Sequence, residues 1–346
     1  MPNRSASEVT ELYETAKALV AGDKGILAAD ESEGTIKKRL GSVGVPSTED
    51  NRRAWRELLF TTPGVEEYIS GVILFDETVR QSSSGGVPFP QLLASRGIIP
   101  GIKVDKGAKA LAFSDDETVT EGLDGLRGRF EEYRALGARF GKWRAVYSIG
   151  PGRPSERCLR ANAHALARYA ALCQEAGLVP IVEPEVLMDG AHDLEASAAA
   201  TARVLHAVYD ELYVQGVDLR ASLLKPNMVL SGYAAAHRAD VQQVAEATLE
   251  VLYRHVPAAV AGIVFLSGGQ SDEDATAHLA AMNARGPHPW PLSFSYGRAL
   301  ENAPLKAWRG EAANVAAAQR AFYHRAKMNA AARAGKYVPE MELEAA

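Results

Sequence analysis

The chain has 346 residues, of which 47% are hydrophobic and 23% are charged, and its formal net charge is -5. This composition is that of an ordinary globular protein with enough apolar material for a sizeable core. The weak acidity offers no basic face for nucleic acid or for a membrane, so we expect neither as a partner.

The N-terminal segment predicts a cytoplasmic location. Residues 1–22 contain no apolar signal run, and Glu8, Glu11 and Glu14 argue against a transit peptide. The longest uncharged apolar stretch, 258–266, is too short to span a bilayer. A plastid location of a processed form stays open at this point. The two cysteines, Cys158 and Cys173, lie on one predicted helix about 22 Å apart, which is too far for a disulfide.

Short apolar runs alternate with helical patterns along the chain. An amphipathic helix comes first, because the residues at 9, 12, 13, 16, 19 and 20 are apolar. Eight predicted strands follow at 25–30, 71–75, 99–105, 140–146, 179–186, 222–229, 262–268 and 291–296. The predicted helices lie at 49–60, 122–136, 156–176, 191–213, 240–254, 272–284 and 312–333.

This alternation predicts the fold. Strands that alternate with helices form a parallel sheet, and eight of them predict a closed (β/α)8 TIM barrel, an α/β fold. We expect one barrel domain over 1–334, with an additional N-terminal helix and a C-terminal helix. The tail at 335–346 has no apolar periodicity and is predicted to be mobile.

Charged residues gather at the carboxyl ends of the predicted strands. They are Asp30, Lys103, Asp105, Lys142, Arg144, Glu183, Glu185 and Lys225. Residues two apart on a strand face the same side, so Glu183 lies with Glu185 and Lys142 with Arg144. The carboxyl ends of barrel strands build the active site. We therefore expect these groups to meet at one mouth.

Lys225 is the most unusual of them, because it interrupts the apolar run SLLKPNMVLSG and is followed by Pro226. A residue before proline is held in extended geometry. Desolvation and a cationic neighbour such as Lys142 both favour the neutral, nucleophilic amine. A lone strand-end lysine is more often part of an ion pair, and the catalytic interpretation depends on its neighbours. Glu185 has a similar alternative, as a salt-bridge partner of Arg144.

Two glycine-containing loops, LSGGQS at 266–271 and SFSYGRAL at 293–300, follow the last two strands. Glycines let backbone N–H groups approach an anion, and the loops after strands 7 and 8 are the usual phosphate site of such barrels. The candidate phosphate-binding residues in these loops are Ser267, Gly268, Gly269, Ser295, Gly297 and Arg298. The eight histidines are scattered, which disfavours a metal site.

These parts suit aldol chemistry through a lysine Schiff base. The amine of Lys225 would attack a ketone, Glu183 or Glu185 would transfer protons, and Asp30 would accept a hydroxyl proton during C–C cleavage.

The sequence resembles class I fructose-bisphosphate aldolases from about Lys24 to Lys336. The matching stretches are GILAADESEGTIKKRL, NRRAW, GVILFDETVRQ, PGIKVDKG, GLDGL, KWRAVY, PIVEPEVL, LLKPNMV, FLSGGQS and FSYGRAL. The resemblance implies reversible cleavage of fructose 1,6-bisphosphate to dihydroxyacetone phosphate and glyceraldehyde 3-phosphate. It also implies a homotetramer that needs no metal or other cofactor.

The resemblance also implies residue roles. Lys225 would form the Schiff base, Glu183 would handle its protons with Glu185 tuning the site, Asp30 would assist cleavage, and Lys142 would orient substrate. One phosphate would be held by Ser267, Gly268, Gly297 and Arg298. The other would lie toward Thr35, Arg39 and Lys103.

Two features depart from the family pattern. Animal members end in a tyrosine-bearing tail, whereas this chain ends MELEAA and its last tyrosine is Tyr337. Thr35 stands where many relatives have serine, and it keeps the hydroxyl group.

Two other functions fit part of this pattern. One is a different Schiff-base sugar-phosphate enzyme, such as a transaldolase-like or deoxyribose-phosphate-type aldolase. The other is a barrel that serves only as an assembly scaffold.

Overall fold

Eight parallel strands close into a barrel in the computed structural model, which describes residues 5–343. The strand order around the barrel is β1-β10-β9-β8-β7-β6-β3-β2. The bounds are β1 Gly25–Ala29, β2 Ile69–Leu74, β3 Ile99–Lys103, β4 Ala108–Ala110, β5 Thr118–Thr120, β6 Phe140–Tyr147, β7 Val179–Val186, β8 Leu223–Leu224, β9 Gly262–Phe265 and β10 Leu292–Tyr296. The predicted TIM barrel is confirmed.

Helices surround the barrel, and one precedes β1 as predicted. They are α1 Ala6–Leu19, α2 Glu33–Ser42, α3 Glu49–Phe60, α4 Asp76–Val79, α5 Phe89–Ser95, α6 Leu126–Ala135, α7 Glu156–Glu175, α8 Leu194–Val214, α9 Val241–His255, α10 Asp272–Asn283, α11 Arg298–Trp308 and α12 Val315–Arg333. Short 3-10 turns lie at Val65–Glu67, Leu219–Ala221, Ala312–Asn314 and Pro339–Leu343. None of the helices among the described residues has the length and apolarity needed to cross a membrane.

The β8 strand is much shorter than its predicted range of 222–229. The Lys225 N–H still donates to the Val182 carbonyl at 2.8 Å, but Pro226 has no N–H to continue the ladder. The side chain of Asn227 makes the next contact with β7, because its oxygen accepts a hydrogen bond from the Val186 N–H at 2.9 Å. The result is an irregular segment that starts at the catalytic candidate Lys225.

A two-stranded antiparallel hairpin, β4 with β5, projects between β3 and β6. This hairpin was not predicted, because each of its strands has only three residues, which is too short for a periodic signal. The hairpin follows the carboxyl end of β3 and contributes Ala108 to the wall of the barrel mouth.

The C-terminal tail differs from its predicted mobility. Tyr337 is buried, and Glu342 accepts hydrogen bonds from Arg325 at 2.6 Å and from the Tyr337 hydroxyl at 3.1 Å. Glu342 also contacts His324 at 3.0 Å. These contacts dock the tail on α12 as far as Glu342, and residues 344–346 of the predicted tail lie outside the described range.

Both cysteines are free and buried on α7, as the predicted spacing required. Burial raises the pKa of Cys158 to about 11, and it raises that of Cys173 still further. Two such protonated thiols are poor nucleophiles.

Candidate active site

A cavity of about 980 Å³ opens at the carboxyl ends of the barrel strands. Among its lining residues the cations outnumber the carboxylates, although the chain as a whole is acidic. The predicted site residues that line it are Asp30, Thr35, Arg39, Lys103, Lys142, Arg144, Glu183, Glu185, Lys225, Ser267, Gly268, Ser295, Gly297 and Arg298. The cavity is therefore suited to a polyanionic ligand.

Two lysines and two carboxylates form a continuous chain of ion pairs at its floor. Lys142 Nζ lies 2.7 Å from Asp30 Oδ2 and 3.1 Å from Glu183 Oε2. Glu183 Oε1 in turn lies 3.2 Å from Lys225 Nζ. All four side chains are buried, so each charge depends on its neighbours rather than on water.

The ionisation states of Asp30 and Lys142 follow from this packing. Burial alone would raise the pKa of Asp30, but the ammonium groups of Lys142 and Lys225 outweigh it and hold that pKa at about 2. Burial would likewise lower the pKa of Lys142, but the charges of Asp30 and Glu183 raise it above its ordinary value. Lys142 is thus a permanent cation and Asp30 a permanent carboxylate at neutral pH.

Glu183 lies between the two lysines and has one oxygen directed at each. Its Oε2 atom has no hydrogen-bond donor among the described residues, because the contact with Lys142 lies outside hydrogen-bond geometry. This carboxyl group is therefore placed to exchange a proton with Lys225 while it stays paired with Lys142.

Glu185 lies on the same face of β7 but pairs with a different group. Its Oε2 atom accepts from Arg144 Nε at 2.5 Å, and the Arg144 side chain is 41% exposed. The salt-bridge alternative for Glu185 is thus present in the structure. Arg144 remains at the rim of the cavity, where its guanidinium can reach a ligand.

The two glycine loops meet at one end of the cavity. Gly297 is the N-cap of α11, and Arg298 is the first residue of that helix. Among the described residues, the buried Ser295 hydroxyl has no hydrogen-bond partner. A helix N-terminus and a guanidinium at one place are groups that bind phosphate in proteins.

Gly268 has a backbone that only glycine adopts easily, with φ at +57°. A Cβ on this residue would lie 1.8 Å from Met188 Cε. Gly269 does not line the cavity, in contrast to the prediction. A Cβ on it would lie 2.3 Å from the Tyr233 hydroxyl, so Gly269 packs against Tyr233 instead.

Gly268→Ala is expected to weaken phosphate binding and to lower the free energy of unfolding by about 1–3 kcal/mol, because it adds strain and a clash. The KM for a phosphorylated substrate and urea unfolding measure the two effects. Gly128→Ala on α6 is the matched control, since a Cβ there meets no atom within 4 Å. Unchanged stability and KM in the Gly268 variant would contradict this assignment.

The first turn of α2 provides further lining residues. Ser32 occupies the N-cap position but makes no capping hydrogen bond, and its hydroxyl lies 3.2 Å from the Thr35 hydroxyl. Lys38, which was not among the predicted site residues, also lines the cavity. Helical spacing could have identified Lys38 in the sequence, because positions 35, 38 and 39 share one face of a helix.

Elsewhere in the cavity lining, Lys103 Nζ lies 2.8 Å from Asp105 Oδ1. Lys106, which was not among the predicted site residues either, also lines the cavity. The Arg39 guanidinium lies 3.4 Å from the Cβ position of Gly297. The structure thus places Arg39 near the Arg298 end rather than with Lys103.

Residues 11–346 match the family model described as fructose-bisphosphate aldolase class-I. The chain belongs to this family. Its activity is that of a class-I fructose-bisphosphate aldolase, a lyase, and the resemblance noted in the sequence is confirmed.

Individual aldolases are similar over nearly their whole length. A probable class 1 fructose-bisphosphate aldolase of Xylella fastidiosa is 58% identical over 330 residues, which cover 95% of this chain and 99% of that protein. The cytosolic fructose-bisphosphate aldolase 6 of Arabidopsis thaliana is 54% identical over 334 residues, with 96% and 93% covered. The solved structure of the Plasmodium falciparum aldolase has a TM-score of 0.95 at 49% identity, with 96% and 97% covered.

The described part of the chain shows no group of three His, Cys, Asp or Glu side chains arranged to hold a metal ion. The cavity floor instead offers lysine ammonium groups as its cations.

Proposed function

We propose that this aldolase cleaves fructose 1,6-bisphosphate reversibly through a Schiff base on Lys225, without a metal ion. The observation that supports it most strongly is the ion-pair chain Asp30–Lys142–Glu183–Lys225 at the floor of a cationic cavity. It combines a nucleophile, a proton carrier, a fixed cation and a base within reach of one another.

The first half of the reaction uses Lys225 and Glu183. Glu183 Oε1 takes a proton from the Lys225 ammonium, and the amine attacks the ketone carbon to form a carbinolamine. Glu183 then returns a proton to the departing hydroxyl, so that water leaves and a protonated Schiff base remains. The separation of 3.2 Å between the two groups allows direct transfer.

The second half uses Asp30. This carboxylate accepts the proton of the hydroxyl beside the scissile bond, and the bonding electrons move into the iminium to give an enamine. The aldehyde product departs, the enamine is protonated, and water releases the ketone product. Lys142 stays charged throughout and stabilises negative charge on the oxygens.

Two phosphates account for the distribution of cations. One would lie against Ser267, Gly268, Gly297 and Arg298, with Arg39 beside them. The other would lie toward Thr35, Lys103 and Lys106. Glu185 would act by holding Arg144 at the rim. These assignments extend the predicted site with the lining residues of the cavity.

The decisive experiment is borohydride reduction of the enzyme with fructose 1,6-bisphosphate, read by peptide mass spectrometry. A substrate-dependent adduct on Lys225 is expected, and activity is expected to survive EDTA. Adduct formation on another lysine, or no adduct at all, would overturn the mechanism. Loss of activity with EDTA that zinc restores would overturn its metal independence.

The cytoplasmic location and the homotetramer belong to the same proposal. Two similar Arabidopsis thaliana aldolases are named cytosolic, which favours the first. The family resemblance favours the second. Light scattering that gives the mass of four chains would support the tetramer, and a stable monomer would refute it.

A further inference from the structure

Two arginines and two glutamates form a cluster beside the phosphate end of the cavity. Glu31 and Arg39 line the cavity, whereas Arg56 and Glu301 lie behind them. Arg56 is 0% and Glu301 1% exposed, so both are sealed from solvent. Neither Arg56 nor Glu301 has a role in the mechanism above.

One nitrogen atom of Arg39 donates hydrogen bonds to both glutamates. Arg39 Nη1 donates to Glu31 Oε1 at 2.5 Å and also to Glu301 Oε2. The remaining oxygens, Glu31 Oε2 and Glu301 Oε1, have no hydrogen-bond partner among the described residues. Arg56 Nη2 lies 3.7 Å from Glu31 Oε2 and thus favours a charge on Glu31 in particular.

Two buried carboxyl groups that share one donor cannot both be charged without strong repulsion. Both carboxyl groups contact the same Arg39 nitrogen, so a proton held between them would relieve this repulsion. Burial and the charge of Glu31 raise the pKa of Glu301 well above its usual range. Burial also acts on Glu31, but the charge of Arg39 and the hydrogen bond with Glu301 lower its pKa. The two pKa shifts, together with the Arg56 guanidinium beside Glu31, favour Glu301 as the protonated member of the pair.

We propose that Glu301 is a positioning residue which, as a neutral carboxylic acid, donates to Glu31, accepts from Arg39 and fixes the Arg39 guanidinium at the phosphate end of the cavity. The proposal rests on the proposed function, since it assumes that a substrate phosphate binds there. Glu301 acts only through Arg39 and does not line the cavity.

The neutrality of Glu301 matters because Arg39 contributes to the field at the phosphate site. Its guanidinium lies 3.4 Å from the Cβ position of Gly297. Burial and the charge of Arg39 together lower the pKa of Arg298. A second negative charge on Glu301 would cancel part of this positive field and weaken phosphate binding.

Glu301→Gln and Glu301→Ala separate this role from packing. Glutamine keeps the shape, the donor and the acceptor of the neutral acid, so KM for fructose 1,6-bisphosphate is expected to stay within about twofold of the parent value. Alanine releases Arg39, so KM is expected to rise about tenfold while kcat changes by less than about twofold. A tenfold rise in KM in the glutamine variant would overturn the proposal.

Two measurements on the intact enzyme do not depend on turnover. Infrared spectra at pH 7 are expected to show a protonated carboxylic acid band that Glu301→Gln removes and that the exposed-site control Glu311→Gln retains. Calorimetric titration with inorganic phosphate is expected to give weaker binding in Glu301→Ala and unchanged binding in Glu301→Gln.

These measurements distinguish a failure of the proposed aldolase function from a failure of the role proposed for Glu301. If the infrared band and the phosphate affinities behave as stated but no substrate is cleaved, the proposed function fails and the role of Glu301 stands. If cleavage proceeds but the band is missing from the parent enzyme, the role of Glu301 is refuted. If Glu301→Ala fails to fold, the infrared comparison of the parent enzyme with Glu301→Gln still tests whether Glu301 is protonated.

Discussion

Lys225→Met is expected to lower kcat for fructose 1,6-bisphosphate cleavage by roughly 10⁴-fold or more, because it removes the group that forms the Schiff base. The same variant is expected to give no adduct with borohydride and substrate. Steady-state kinetics and peptide mass spectrometry measure the two effects. Methionine matches the length and apolar stem of the lysine, so the local packing is preserved.

The fold is expected to survive this substitution. Glu183 loses Lys225 but keeps Lys142 at 3.1 Å, so no carboxylate is left without a cation. The free energy of unfolding should therefore change by less than about 2 kcal/mol. Lys109→Met on the exposed strand β4 is the control and should leave activity unchanged. Residual turnover within tenfold of the parent would exclude Lys225 as the nucleophile.

The barrel and most of its site could be predicted from the sequence because both depend on simple periodicities. Apolar runs separated by helical patterns defined the eight strands, and strand-end charges then pointed to one mouth. Asp30, Lys142, Glu183 and Lys225 meet there as predicted. Their positions follow from strand register alone, without knowledge of side-chain conformation.

The pairing of these charges could not be predicted in the same way. Whether Glu183 binds one lysine or two, and whether Glu185 faces the ligand or Arg144, depends on distances of a few tenths of an ångström. The Arg39–Glu301 contact joins residues 262 positions apart and comes from helices that pack only in the folded barrel. No local pattern marks such a pair.

The docking of the C-terminal tail could not be predicted for the same reason. Its sequence lacks apolar periodicity, so it offers no sign of a regular element. It is held instead by a polar anchor, since Glu342 meets Arg325 and His324 on α12. A single charged residue on a short tail indicates nothing by itself until the partner surface is known.

Lys142→Met is expected to cost about 3–5 kcal/mol of folding free energy at pH 7, the largest effect on stability that the site allows. Lys142 is shared by Asp30 and Glu183, so its removal leaves two buried carboxylates to compete for Lys225. Activity should fall as well, because the substrate loses a fixed cation. Urea unfolding at pH 7 measures the loss of stability.

The pH dependence of this loss has a definite sign. The pKa of Asp30 is about 2 in the folded protein, against 3.8 for a carboxyl group without these interactions. Its contribution to the free energy of unfolding is therefore present above pH 3.8 and is lost as pH falls toward 2. In Lys142→Met the pKa of Asp30 should rise, because the cation that most strongly opposes the effect of burial is gone, so the variant loses less stability on acidification than the parent does. The stability difference between parent and variant should therefore shrink on acidification.

The double variant Lys142→Met with Asp30→Asn tests the cause, because it removes the cation together with one of its carboxylates. If the cost comes from an unpaired buried charge, the double variant should be more stable than Lys142→Met alone at pH 7, although its activity should not recover. Equal stability of the two variants would show that the Lys142 stem, rather than its charge, supports the barrel. A parent-like stability of Lys142→Met would contradict the ion-pair chain itself, and with it the assignment of Asp30 as a permanent carboxylate.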